Sequence, residues 1–377
     1  MSVQGVRRFA SDIAWVRRER GVGFRAQWRE FRRFQAGTGI TRGEFLRYWL
    51  WDVDRPIGQR MAIMSRRERL AAEQLMNPVE HRPLLQNKNW VDARLQAAGL
   101  RTSTTLALIG KWVDQPGRST DARLLTTPEE IRSLLSDAPS NGVVFKPLFG
   151  DCGDSVLVFR AADAAQLIAF DGTVWPIERL LLVLETEAEL WKVEARIPQH
   201  PVLASVAGET LGTLRMLAFT MLDGSTHLAP TTWKIATDDS GLDHFMHGAM
   251  RYAAPVHPDT GVVGPARRWA SLQAVDTHPV TGAGITGLVI PWWEEAKEMV
   301  KAAAACFPMV WAPAFDVAIS EEGPVIIELN LGWAEPLTQA PGPRGLVSGR
   351  FREFLEERGC GNVVNLAARD RTALRGY

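Results

Sequence analysis

Apolar positions recur at helical spacing near the start of the chain. Phe24, Trp28, Phe31 and Phe34 are separated by 4, 3 and 3 residues, the period of one helix face, with Arg25, Arg29, Arg32 and Arg33 between them. Residues 45–51 (FLRYWLW) are denser in aromatics and are expected to be more buried, and residues 66–73 read as another helix. The aromatics of the 24–34 stripe either pack on the body, leaving a solvated basic face, or anchor a basic helix on a membrane surface or an acidic polymer.

From about residue 85 the pattern changes to α/β. Residues 87–100 and 124–137 read as helices, the second opened by Thr127 as N-cap and Pro128 at the first turn. Residues 142–147 (GVVFKP), 155–159 (SVLVF) and 180–185 read as strands. Residues 214–222 and 227–236 read as a hairpin around Asp223-Gly224, a pair suited to a primed turn. Residues 292–307 read as a helix, and 311–319 with 324–329 as a second hairpin. Frequent hairpins among helices predict a mixed, largely antiparallel α+β fold, not a Rossmann sheet.

Composition narrows the class without naming a chemistry. A chain of 377 residues with 46% hydrophobic and 23% charged residues is ordinary for a soluble globular enzyme. Its formal net charge is zero, but residues 1–70 hold 16 Arg, no Lys and 7 acids, a net of +9, so the remainder carries −9. Only 7 of the 43 basic residues are lysine. The three cysteines are scattered without CxxC spacing, which points to a reducing cytoplasm. No secretory leader pattern and no apolar run long enough for a membrane span is seen.

Three groups carry candidate chemistry. In the last hairpin, Glu328 and Asn330 are two apart and point to one side, while the turn near Glu322 brings Asp316 across from Glu328. Two carboxylates and an amide oxygen suit Mg²⁺, which takes few carboxylates plus substrate phosphates; the alternative is a pair of solvent-facing acids. Second, Lys146 ends a strand before the loop Gly150-Asp151-Cys152-Gly153-Asp154-Ser155, whose backbone N–H groups would cradle phosphate; the alternative is a simple hairpin with an incidental lysine. Third, Arg215 and Lys234 interrupt apolar stretches of the middle hairpin; turned inward they would meet anions, turned outward they are solvated.

In this order the groups resemble the ATP-grasp superfamily, and more closely its sugar-transfer-associated branch, related to α-L-glutamate ligase-like proteins. The likeness spans roughly residues 85–345 and rests on Asn87-Lys88, Val144–Pro147 with the glycine loop, Val193–Pro201, Gly212–Arg215, Thr281–Glu294, and Asp316 with Glu328-Leu329-Asn330. It implies two α+β lobes clasping ATP, preceded by a helical segment. It implies that Lys88 and Lys146 contact ATP phosphates, that Gly150, Asp151, Gly153 and Ser155 belong to the closing loop, and that Glu194, Ala195, Arg196 and Ile197 form the adenine hinge. Gln199 and His200 are candidates for the ribose contact. Arg215 would sit near the transferred phosphate, Lys234 would supply a further basic group, and Asp316, Glu328 and Asn330 would hold magnesium, with two ions expected. Where the branch commonly has an Asp-Asn pair, this chain has Asp243-His244, followed by Phe245-Met246-His247-Gly248 in a loop expected to line the acceptor pocket.

The expected divisions are a helical, Arg-rich segment (1–84), the N-terminal and lid part (85–205) and the lobe with the metal site (206–377). The expected activity is an ATP-dependent carboxylate–amine ligase working through an acyl phosphate. Its substrates would be a small carboxylate and an amine, such as an amino acid, peptide or sugar acid, with no nucleic acid partner. A small-molecule kinase on the same fold, and a nucleotide-binding module without turnover, remain open.

Overall fold

The computed structural model describes the chain apart from residues 1–2, 111–121, 151–154, 238–240, 242, 244–251, 269–270, 272, 343 and 375–377, and the side chains of residues 3–9 and 374. It opens with the helices Val3–Arg20, Phe24–Thr38, Arg42–Arg47, Ile57–Met61 and Arg66–Met76. Arg42–Arg47 and Arg66–Met76 both start with capping boxes, Thr41 with Glu44 and Ser65 with Glu68, each satisfying two otherwise orphaned N–H groups. The aromatic stripe is split. Phe31 and Phe34 are buried with Phe45, Leu46, Tyr48, Leu50 and Trp51, whereas Phe24 and Trp28 stand exposed.

A first sheet comprises β1 (Thr105–Gly110), β2 (Leu124–Leu125), β3 (Val143–Pro147), β4 (Leu157–Ala162), β5 (Gln166–Ala169), β6 (Val174–Pro176) and β7 (Leu190–Ala195), in the order β2-β1-β7-β3-β4-β5-β6. Only the β1–β2 pair among them is parallel. Two expectations are corrected here. Residues 180–185 are not a strand but lie in the helix Ile177–Thr186, where Leu180 and Leu184, one turn apart, are buried and Leu182 faces solvent. A short apolar run cannot by itself separate strand from buried helix, and here the helical period wins. The second helix starts at Pro128 rather than 124, because Leu124 and Leu125 pair with β1.

A second sheet comprises β8 (Thr213–Thr220), β9 (Thr226–Leu228), β10 (Thr232–Ile235), β11 (Tyr252–Pro255), β12 (Ala266–Arg268), β13 (Ala274–Val275), β14 (Ala314–Ser320) and β15 (Gly323–Asn330). Its order is β13-β12-β11-β10-β8-β14-β15, with β9 paired to β8. Strand alternation divides its two faces. Leu214, Met216, Trp233, Ile235, Phe315 and Val317 pack under the helix Trp293–Ala305, with Ala296, Val300 and Ala303. The opposite face carries Leu217 and Phe219, which pack with Met64, Ala72, Met76, Trp333, Phe351 and Phe354. The helix Leu366–Leu374 returns to the N-terminal helices, where buried Arg369 pairs with Glu68 at 2.5 Å. Among the described residues, no helix is long and apolar enough to cross a membrane.

Candidate functional site

The face of the second sheet that carries Leu217 and Phe219 also carries a row of charges. Register places Thr232 of β10 opposite Arg215 of β8, Arg215 opposite Asp316 of β14, and Asp316 opposite Glu328 of β15. Directly opposed residues on antiparallel strands share a face, so these side chains converge. Arg215 Nε lies 3.0 Å from Asp316 Oδ1. Lys234 Nζ, two residues beyond Thr232, lies 3.3 Å from Asp316 Oδ2 and 3.0 Å from Asp243 Oδ1. A register shift between Asp316/Val317 and Glu328/Ile326 leaves Ile327 as a bulge. That bulge lets Ile326 and Leu329, three apart, both enter the core while Glu328 and Asn330 turn to the charged face.

Gly212 leads into this row at close quarters. A Cβ there would lie 2.6 Å from the Lys234 carbonyl oxygen and 2.8 Å from Trp233 Nε1, and the Gly212 N–H donates to Gln199 Oε1 at 2.7 Å. Only a residue without a side chain admits the β8–β10 approach that sets Lys234 beside Asp316.

Further cations come from the helix Lys88–Ala97, whose Val91 and Leu95 pack in the core of the second sheet, and from β3 of the first sheet. Lys88, at the first turn of the helix Lys88–Ala97, donates from Nζ to the Gly150 carbonyl at 2.8 Å and lies 3.6 Å from Glu328 Oε1. Helix, Gly150 and the β14–β15 hairpin therefore meet at one lysine, beside a small indentation lined by Leu85, Asp92, Gly150, Glu328 and Leu329. Lys146 Nζ lies 2.7 Å from Glu194 Oε2. The other Glu194 oxygen, at 2.7 Å, holds Lys192 Nζ, which also contacts Asp92 Oδ2.

Asp92 and Lys192 were missed by sequence reading. Lys192 is opposite Lys146 in the β3–β7 register and only 1% exposed. Its signal was a lysine inside an otherwise apolar strand, two residues before Glu194. Asp92 gave none, since its position depends on how the helix Lys88–Ala97 lies across β7.

Electrostatics follow from this packing. Burial pushes the Glu328 carboxyl up, with Lys88 opposing that and Asp316 adding to it. Burial disfavours the Lys234 ammonium, but Asp243 and Asp316 outweigh it and hold the group above the usual lysine value. Burial likewise opposes the Glu194 carboxylate, yet Lys146 and Lys192 hold it well below the ordinary carboxylate range. Burial raises Asp92 in spite of Lys192.

The remaining candidates divide. Ser155 has a positive φ of 61°, at the end of the loop that follows Gly150. Asp151 and Gly153, and His244 and His247 with their loop, lie outside the described residues. Glu194 and Ala195 end β7, and Ile197 follows it. Arg196 is turned away from the lysines: Nη1 donates to the Asn141 carbonyl at 3.0 Å and the guanidinium lies 5.1 Å over the Phe170 ring. The Gln199 side chain bridges Gly208 and Gly212, and His200 Nδ1 accepts from the Val202 N–H at the start of the helix Pro201–Ala207. Both ribose candidates thus make contacts that shape the chain locally.

The helix Arg66–Met76 and its C-cap Asn77 hold the β14–β15 hairpin where the chain enters and leaves it. The Asn77 amide donates to the carbonyls of Ala312 and Leu331 at 2.8 and 2.6 Å and accepts from the Ala312 N–H at 3.2 Å. Glu73 accepts from the Trp333 N–H, and Arg69 pairs with both Glu73 and buried Glu335.

The donor set of Asp316, Glu328 and Asn330 consists of hard oxygens. Among the described residues no third carboxylate, histidine or cysteine joins it to form a metal-binding group, and the Asn330 amide nitrogen is buried without a hydrogen-bond partner. Two carboxylates and an amide fit magnesium shared with substrate phosphates rather than a metal fully ligated by protein.

Residues 66–352, about three quarters of the chain, match the family described as sugar-transfer associated ATP-grasp. No curated protein matches. Similar solved structures include an N5-carboxyaminoimidazole ribonucleotide synthetase in its ADP complex, at 14% identity and TM-score 0.37, with 66% of this chain and 45% of that one covered. An L-amino acid ligase from Bacillus licheniformis is 13% identical with TM-score 0.34, covering 66% of this chain and 41% of that one. A D-alanine–D-alanine ligase from Bacillus anthracis is 16% identical with TM-score 0.36, covering 78% and 68%. The chain spans less than half the length of the first two. The match over most of its length places the chain in the sugar-transfer-associated ATP-grasp family, with an α+β fold preceded by helices.

Proposed function

We propose that the chain is an ATP-dependent ligase joining a small carboxylate to an amine, with ADP and phosphate released. The observation that carries this reading is the row Arg215, Asp316 and Glu328 across three adjacent strands, with Lys88 contacting its end from a helix whose Val91 and Leu95 pack in the core of the same sheet. Such a row would set two metal-binding carboxylates between two phosphate-binding cations. Asp316, Glu328 and Asn330 would hold magnesium, which supplies Lewis-acid neutralisation of phosphate charge when bound. Lys88 and Lys146 would hold the polyphosphate, and Gly150 with the loop after it would cover it. Arg215 and Lys234 would steady the oxygens of the transferred phosphoryl group and of the acyl phosphate it forms. Phosphoryl transfer asks mainly for position and charge neutralisation, and no side-chain nucleophile is needed. The three divisions at 84/85 and 205/206 belong to this proposal, as does the cytoplasmic setting in which the substrates would be met.

Glu328→Gln tests the reading. It keeps the shape of the side chain and removes the charge, so ATP turnover is expected to be lost while the folded circular dichroism spectrum is retained. Near-normal ADP formation by the folded variant would overturn the site assignment. Screening carboxylates and amines by ADP release, then weighing the product, separates ligase from kinase: a ligase needs both substrates and yields a new amide, whereas a kinase forms ADP with one acceptor.

A further inference from the structure

The basic N-terminal helices have a surface that the proposed chemistry does not use. Three of the seven acids in residues 1–70 are taken inside. Glu30 pairs with Arg60 at 2.8 Å, Glu44 caps the helix Arg42–Arg47, and Glu68 pairs with Arg369. Among residues 10–70 this leaves nine exposed arginines against two exposed acids, Glu19 and Asp54. The helix Phe24–Thr38 concentrates the effect. At about 100° per residue, Phe24, Trp28, Arg32, Arg25 and Arg29 fall within an arc of roughly 140°. All five are exposed and no acid lies among them, while Gln27, Glu30, Phe31 and Phe34 form the buried side. Phe24 is 48% and Trp28 49% exposed, one helical turn apart. Arginines from neighbouring elements lie over both rings, Arg17 at 5.0 Å from Phe24 and Arg42 at 5.1 Å from Trp28.

We propose that this face docks on an anionic phospholipid bilayer, with the helix lying along the surface. Phe24 and Trp28 enter the interface, where amphipathic rings are favoured, and Arg25, Arg29 and Arg32 meet headgroup phosphates. A soluble acidic polymer would use the arginines equally well. It would gain little from the rings, since a face of each that a sugar would stack on is covered by a guanidinium. A bilayer has a use for both halves of the arc.

The test uses the full chain and cosedimentation with phosphatidylcholine vesicles, with and without phosphatidylglycerol. Binding is expected only with the anionic lipid and is expected to fall steeply as salt is raised. The triple substitution Arg25→Gln, Arg29→Gln and Arg32→Gln is expected to weaken binding on the order of 100-fold, from about 1 kcal/mol per arginine near an anionic surface. Trp28→Ala is expected to weaken vesicle binding roughly tenfold while leaving binding to heparin unchanged, because only the bilayer buries the ring. These side chains are exposed, so unchanged thermal unfolding would show that the fold is retained. Failure to bind anionic vesicles would overturn the proposal. So would vesicle binding indifferent to Trp28→Ala together with equally tight heparin binding, which would assign the face to a polyanion.

Discussion

Lys192→Met is the most informative single change. The lysine is 1% exposed and is the shared cation of Asp92 and Glu194, which are themselves buried. Methionine fills a similar volume without charge, so the substitution isolates electrostatics from packing. It leaves Lys146, 2.7 Å from Glu194, as the remaining cation beside the two carboxylates. Removing one partner of a buried ion pair costs ~3–5 kcal/mol, a large share of the ~5–15 kcal/mol that holds a domain folded. The assay is urea unfolding followed by tryptophan fluorescence, in which buried Trp191 reports on β7 itself. Two further outcomes follow from the mechanism. Asp92 already titrates above the usual carboxylate range because of burial, and without Lys192 it rises further. A carboxyl whose folded pKa exceeds its unfolded value adds stability below the unfolded pKa and loses it as pH rises through the folded one. The deficit of the variant is therefore largest at and above neutral pH and shrinks in mild acid. Adding Asp92→Asn to Lys192→Met removes the stranded charge and is expected to recover about 1–2 kcal/mol. A cost below about 1 kcal/mol, well under the buried-pair range, would refute the reasoning. A deficit independent of pH, or an Asp92→Asn that only adds to the loss, would refute it as well.

Glu335 offers a second titration. Burial lifts its carboxyl from 4.5 to about 7, with Arg69 opposing and Glu73 adding to the rise. By the same linkage, its contribution is present below pH 4.5 and lost as pH rises through about 7. Glu335→Gln should therefore gain on the parent by about 3 kcal/mol between those limits, read as the change in unfolding free energy with pH. Asn77→Ala strips three hydrogen bonds from the residues flanking the β14–β15 hairpin and should cost about 3 kcal/mol of stability, with kcat falling more than ATP affinity. An unchanged kcat would show that the hairpin needs no such clamp. Gly212→Ala puts a Cβ 2.6 Å from the Lys234 carbonyl oxygen, so β8 and β10 must part. Roughly 2 kcal/mol of stability and most of the ADP formation should be lost together.

Much of the frame was legible without coordinates. The last hairpin is the clearest case, because Asp316, Glu328 and Asn330 stand in short apolar strands around a short turn; counting back from Ser320 and Gly323 would set Asp316 opposite Ile327, and the bulge at Ile327 brings Glu328 there instead. The cap Thr127 and the helix Trp293–Ala305 were legible for the same reason: their signals are local. The reading of residues 180–185 as a strand failed because its five consecutive apolar positions, 180–184, fit both periods, and the choice was made by what Leu180 and Leu184 pack against.

What the chain determined alone is therefore its local periodicities, its polar interruptions and the uneven spread of its charge. The tertiary structure decided which of those charges meet. Asp92 finds Lys192 across 100 residues, Asn77 finds Leu331 across 254, and Glu68 finds Arg369 across 301. Burial makes such pairs obligatory, since an ion taken from water must find a partner, but the identity of the partner depends on how whole elements pack. The same packing withdrew Glu30, Glu44 and Glu68 from the surface and left Arg25, Arg29 and Arg32 on it. The stripe that the sequence marks by its spacing thereby keeps, on the helix Phe24–Thr38, an exposed arc of two rings and three arginines with no acid among them.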